Sequence, residues 1–337
     1  MTTPAVPTGR QFLDVELAPV AGSRFQPTGF PDLGAATFDR PGPDGTWVKS
    51  LLVESAQSIA NRLEATAWDA GKDEPVEVFA DLPYVLVSHV DDGRYLTSSR
   101  TEAHRLSSAF VKDSTLDGQP MREVIRERLG LRDDSPVPWR TIARAVFALD
   151  PFCLIHGVFF AENAKVWPGQ PRIARALTGC IEAENVREAP SGGVKRDHVR
   201  HSLGDSADGS GGTSEGYGTI PYHRTEWTAQ RIVASFVLDL DQIRAYGLPE
   251  PATALLVAIA RWELRALLDH GLRLRTACDL APVNPAITDR SGTPLPTRDD
   301  LDAQVRTLTA QCADLFDHTG PLDVRWPAPK TAKPKAK

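Results

Sequence analysis

Apolar positions along the chain recur at two spacings, which separate strand-like runs from helix-like ones. Strand-like runs occupy "LGAATF" (33–38), "YVLVSHV" (84–90), "FCLIHGVFFA" (152–161), "RIARALTGCIEAEN" (172–185) and "RIVASFVLDL" (231–240). The last two alternate: Ile173, Leu177 and Ile181 share a face, as do Ile232, Ala234, Phe236 and Leu238. Helical spacing places Leu52, Ala56, Ile59, Leu63 and Ala67 on one side of a helix over "LLVESAQSIANRLE" (51–64). "TALLVAIARWELRALLDHG" (253–271) is apolar nearly all round, which predicts a buried helix ending at Gly271. A further helix near 298–316 sets Leu301, Val305, Leu308, Cys312 and Leu315 behind a Thr297/Asp300 cap, and Met121–Leu129 reads as a short amphipathic helix.

These elements predict an α+β fold. Helices near 50–68 and 252–270, separated by strands, suit a β-α-β-β-α-β core with large insertions, and sequence order alone suits other α+β layouts too. Residues 1–24 read as an irregular N-terminal arm. The core then takes 25–185 and 231–320, with helical insertions at about 91–140. Residues 186–230 read as an extended hairpin whose Gly/Ser-rich tip, 204–216, is expected to be mobile. Residues 321–337, ending in "APKTAKPKAK", read as a disordered tail.

Composition narrows the function classes. The chain of 337 residues is 41% hydrophobic and 24% charged, enough for a sizeable core. Its longest apolar run, "ALLVAIA" (254–260), is far short of a membrane span, and the N-terminus lacks a secretory h-region, so a cytoplasmic location is expected. Cysteines 153, 180, 278 and 312 form no CxxC pair, which argues against structural zinc; no metal or other cofactor is expected. A net charge of −6 is the wrong sign for a nucleic-acid binder, so any such surface must be local.

The polar side of the 51–64 helix is unusual. It carries Glu54, Gln57, Ser58, Asn61 and Arg62 where a merely solvated helix would show lysines and glutamates. Amides and hydroxyls bond to phosphate oxygens and 2′-hydroxyls, and an arginine clamps a phosphate through two N–H groups. A solvated surface is the plain alternative.

The segments "FQPTGFPDLGAATF" (25–38), "LLVESAQSIANRLE" (51–64), "APSGGVKRD" (189–197) and "YGTIPYHRTEWTA" (217–229) together resemble the RAMP superfamily of CRISPR backbone subunits. The likeness is to the large backbone subunit of the type I-G (formerly I-U) Cascade complex, over about residues 24–280. It implies an RRM-like (ferredoxin-like) palm with a protruding β-hairpin thumb, 186–230. It also implies several copies lined up along a guide RNA (crRNA), other Cascade subunits as partners, and a target DNA strand met by way of the guide in antiviral defence. The thumb of one copy would kink the guide held by its neighbour, and cleavage would belong to a separate protein. The RNA-binding residues it implies are Arg24, Gln26, Ser55, Gln57, Ser58, Asn61, Arg62, Lys195, Arg196, His198 and Arg200. Such a grip must ignore base identity, because the guide's sequence changes while the subunit does not.

Other constellations carry less. "SGGVKRDHVRH" (191–201) suits RNA contacts at the base of the thumb, a polar surface loop, or a metal-independent endoribonuclease that processes guide precursors through His198 or His201. No nucleophile or second acid stands at defined spacing from them. "GGTSEGYG" lacks the lysine and the strand–loop–helix setting of a phosphate loop. His89, His104, His156 and His270 stand singly and read as structural. Arg100 and Arg105 suit a groove or a plain surface helix equally. A small-molecule enzyme would need a deep closed pocket, and nothing here supplies its catalytic set.

Overall fold

A computed structural model describes residues 8–30, 34–42, 44–162, 165–196 and 219–327. Its principal elements are, in chain order, β1 (Arg10–Pro19), β2 (Thr37–Pro41), β3 (Trp47–Glu54), α1 (Ala56–Thr66), β4 (Tyr84–His89), β5 (Tyr95–Ser98), α2 (Met121–Arg128) and α3 (Trp139–Leu149). There follow β6 (Leu177–Glu184), β7 (Arg187–Arg196), β8 (Thr219–Thr228), β9 (Arg231–Asp239), α4 (Glu250–Asp269), β10 (Leu272–Arg275), β11 (Cys278–Pro282), α5 (Arg298–Gln311) and β12 (Pro321–Trp326).

Seven strands form one antiparallel sheet in the order β10-β11-β1-β9-β6-β3-β2. One face is apolar: Leu13, Val15 and Leu17 of β1 stand beside Ile232, Ala234, Phe236 and Leu238 of β9 and Leu177, Ile181 and Ala183 of β6, all buried. Helices α1 and α4 cover that face, α1 burying Ile59, Ala60 and Leu63. The side chains pointing the other way follow from the period of two: Asp14, Glu16, Glu182 and Glu184 lie on the uncovered face. Arg290 pairs with Asp14 there, Arg231 reaches Glu16 and Glu184, and Arg40 also holds Glu184.

Several expectations are corrected. Residues 10–19, read as part of an irregular arm, form β1, a central strand paired on both sides. The alternation Leu13-Val15-Leu17 is the reason, since each residue fills the core between α4 and the sheet. "LLVE" is the end of β3 rather than the first turn of a helix: Leu51 and Leu52 pair with Ala183 and Glu182 of β6. The helical phase of its apolar residues ran on across the junction by coincidence, and Ser55 marks the true start, its Oγ accepting from Ser58 N at 3.3 Å.

"FCLIHGVFFA" is a buried helix, Phe152–His156, followed by a two-residue strand, Val158–Phe159. A short run that is apolar throughout has no period to tell strand from buried helix. Gly157 makes the turn between them at φ 78°, where a Cβ would stand 2.7 Å from Ile173 O. The run 172–185 belongs to two ladders, Arg172–Ile173 beside Val158–Phe159 and β6 in the main sheet, so Ile173 leaves the face that Leu177 and Ile181 share. Residues 321–326, assigned to a disordered tail, form β12, parallel to β4, with Val324 fully buried. Residues 328–337 lie outside the described residues.

The expected hairpin is present as β7 and β8, paired from Arg187↔Thr228 to Arg196↔Thr219. Its proposed tip, 204–216, lies outside the described residues. Among the described residues no helix is long and apolar enough to cross a membrane.

Candidate nucleic-acid interface

Two hydrogen-bonding rows leave helix α1 in different directions. One turns inward. Glu54, the last residue of β3, is 1% exposed and accepts from Ser58 Oγ, from Arg62 Nε at 2.9 Å and from Arg275 Nη2. Arg62 also donates to Leu274 O, and Arg275 Nη1 donates to the carbonyls of Gln26 and Val53 at 3.1 and 3.2 Å. Glu54, placed among the exposed polar residues by its helical phase, is therefore the buried anchor of the junction. Two guanidiniums around one carboxylate leave this cluster a net positive charge. Burial lowers the proton affinity of Arg62, but arginine keeps its charge in proteins.

The other row faces solvent. Gln57 and Asn61, one turn apart, are exposed, and Gln57 Nε2 donates to Asn61 Oδ1 at 3.3 Å. Gln57 Oε1 accepts from Arg175 Nη2. Arg175 is half-buried with no carboxylate partner among the described residues, and its buried Nε has no partner among them either. Burial, and after it the neighbouring Arg105, lower its proton affinity, as expected of a cation that an incoming anion would stabilise.

Each end of this row opens into a cleft. At the start of α1 a cleft of about 900 Å³ is lined by Gln57, His104, Arg105, Lys112, Arg172 and Arg175. Arg105 is held there by Glu64 and Lys112 by Glu162, at 2.8 Å, whereas Arg172 has no carboxylate partner among the described residues and lies over the Phe159 ring. At the end of α1 a second cleft, of about 510 Å³, is lined by Arg62, Thr66, Trp262, Arg273 and Arg298. Arg273 is exposed, again with no carboxylate partner among the described residues, and Arg298 stacks 3.9 Å above Trp262. Gln57 to Thr66 spans about 13 Å along the axis, so amides and unneutralised guanidiniums form one band across α1. The uncovered sheet face, where Asp14, Glu16, Glu182, Glu184 and Asp239 meet Arg10, Arg40, Arg231 and Arg290, offers no comparable attraction to phosphate.

The remaining expected contacts divide by place. Ser55 caps α1, and Ser58 and Arg62 serve Glu54. Arg24 lies near the base of the hairpin, its Nη1 3.5 Å from Glu226 Oε2, beside the bridge between Phe25 and Trp227. Gln26 is tied through Arg275 to Glu54, and its buried Oε1 has no partner. Lys195 and Arg196 were expected near the base of the thumb. They sit instead at the far end of β7, about 30 Å along the strand from Arg187, because the pairing runs unbroken through Gly192 and Gly193. His198, Arg200 and His201 lie outside the described residues. Arg172, Arg175, Arg273 and Arg275 went unremarked in the sequence; "LRLR" shows the last two only as the polar half of an alternation, and in "RIARAL" the period of two sets Arg175 on the side of Ile173 and Leu177.

Residues 12–188, more than half of the chain, match the family described as CRISPR-associated protein GSU0053 (Cas_GSU0053). The chain belongs to that family. The matched span of this CRISPR-associated protein takes in β1 from Phe12 onward, the β3–α1 junction, the three arginines of the first cleft and β6. No curated protein matches it. Among solved structures, a chain described as "CRISPR RNA-guided surveillance complex, pre-nicking" is similar at 14% identity with a TM-score of 0.38, over 81% of this chain and 73% of that one.

Proposed function

We propose that this CRISPR-associated chain is a non-catalytic, cytoplasmic backbone subunit of a type I-G Cascade complex, a RAMP protein that lines up along crRNA and presents it to target DNA. The observation that carries the reading is the band Arg172–Arg175–Gln57–Asn61–Arg62–Arg273, neutral amides between guanidiniums of which Arg172, Arg175 and Arg273 have no carboxylate partner among the described residues and Arg62 shares the single carboxylate of Glu54 with Arg275. Such groups hold a ribose–phosphate chain without reading its bases. The strand order β11-β1-β9-β6, with α1 and α4 as the crossing helices, supports an RRM-like palm to which the β3/β2 pair adds an edge. In this palm the acidic uncovered face turns the strand to the helical side. The hairpin supports the role of thumb: its unbroken pairing carries the chain about 30 Å along the strand from Arg187, a length that suits contact with a guide held by the next copy.

Purification after co-expression with a guide tests this. The chain is expected to bring down RNA of regular lengths, and Gln57→Ala with Asn61→Ala to release it from a folded protein. Recovery free of nucleic acid would count against the reading. Cleavage of a guide precursor by the purified chain, lost in His198→Ala or His201→Ala, would overturn the non-catalytic part and leave an endoribonuclease.

A further inference from the structure

A smaller pocket of about 290 Å³ shares the segment Arg172–Ala174 with the first cleft and lies across it from α1. Its wall is Trp139, Ile142 and Ala143 of α3 on one side and Gln242, Ala245 and Tyr246 on the other. Trp139 opens α3 with 54% of its surface exposed, although its neighbours one turn on, Ile142 and Ala143, are buried. Arg140, exposed and without a carboxylate partner among the described residues, passes over Gly247, next to Tyr246 and outside the pocket's own lining. The pocket therefore has an exposed aromatic surface, an apolar floor and the Arg172 guanidinium at its edge.

Its polar groups have a definite sense. Gln242 Nε2 donates to Ala174 O at 2.7 Å and to Tyr246 OH at 2.9 Å, and the Tyr246 hydroxyl donates to Leu154 O at 2.8 Å. With its amide N–H groups and the tyrosine proton engaged, Gln242 Oε1 is the side-chain acceptor left at the wall. An occupant must offer a flat apolar surface, an N–H and a negative charge within one residue's reach. A nucleotide offers all three.

We propose that this pocket binds one nucleotide of a single-stranded nucleic acid, its base against Trp139 with an N–H toward Gln242 Oε1, and its phosphate at the Arg172 edge. Base–aromatic stacking tolerates any sequence, and the arginine at the rim supplies the salt-dependent part. The site rests on the reading of the chain as a nucleic-acid binder and adds to the α1 band a point where a base, not only the backbone, is held. Stacking predicts that an aromatic ring is required at position 139, whatever its identity.

The test uses the full chain and labelled single-stranded hexanucleotides of RNA and of DNA, read by fluorescence anisotropy. Trp139→Ala and Arg172→Ala are each expected to weaken binding about tenfold with an unchanged melting curve, and Trp139→Phe to keep most of it. The strand type that shows the loss is the occupant. A 4-thiouridine RNA is expected to crosslink to Trp139 or Tyr246. If Trp139→Ala and Arg172→Ala bind like the unmodified chain while Gln57→Ala with Asn61→Ala binds weakly, the pocket is overturned and the α1 band stands. If the unmodified chain binds neither oligonucleotide, both fall.

Discussion

Arg62 Nε lies 2.9 Å from Glu54 Oε1 across the junction of β3 and α1, and the carboxylate of that pair is 1% exposed. The pair locks α1 to the end of β3, and through Arg275 to Gln26, next to Phe25, which bridges Trp227 of β8. Glu54→Gln removes the negative charge and leaves two guanidiniums facing one another. Breaking a buried pair from one side costs about 3 kcal/mol, and urea unfolding should show a loss of that order. A loss below about 1 kcal/mol would mean that water already serves the cluster.

Gln57 and Asn61 are exposed and carry nothing of the fold. Gln57→Ala with Asn61→Ala should shift stability by no more than about 0.5 kcal/mol while lowering affinity for a guide RNA. Arg175→Ala should flatten the dependence of log affinity on log salt by about 0.7, the share of one phosphate contact on a single strand. A slope equal to that of the unmodified chain would remove Arg175 from the interface.

Ser55 is a cap, so its contribution is to stability. Ser55→Ala should cost about 1 kcal/mol and Ser55→Asp should restore it, with RNA affinity following the folded fraction. A large loss of affinity without loss of stability would make Ser55 a direct contact.

The segment read as a dispensable arm is structural. Leu13→Ala, at a fully buried site on a central strand, should cost about 3 kcal/mol, and a chain lacking residues 1–19 should not fold. A soluble, cooperatively melting truncation would contradict the register of β1.

His156 and Glu263 meet in the core, Nε2 lying 2.9–3.0 Å from the carboxylate oxygens, both side chains fully buried. Burial lowers His156 from 6.5 to about 4 and pushes Glu263 well above its ordinary value. Between those two histidine values the unfolded chain takes up a proton that the folded one refuses. Stability should therefore fall as pH drops from about 6.5 to 4, by about 3 kcal/mol from this group. Glu263 works in the opposite sense, its contribution being lost as pH rises through its raised folded value. The His156→Gln chain, measured by denaturant at several pH values, should lose less over that acid window; an identical loss would show that His156 is protonated in the core.

The strands of β6 and β9 and the helix α4 were legible because each repeats one period over enough residues, and the hairpin because two such strands flank a Gly/Ser-rich stretch. The β3–α1 junction was half legible: the residues were noticed, but helical phase placed Glu54 outward when it is the buried centre. Arg172, Arg175 and Arg275 were not legible at all. Each is an isolated cation in a short run, and its meaning comes from Gln57, Glu54 or Gln26 far away in sequence.

Local periodicity and capping were enough to set the class of the fold, the main helices and the polar character of α1, because those depend on neighbours within a turn or a strand. The placing of β1 at the centre, β12 beside β4 and the unneutralised arginines at both ends of α1 came from long-range pairing alone. A buried carboxylate or a free guanidinium is defined by what stands opposite it, and only the folded chain brings those partners within a few ångströms.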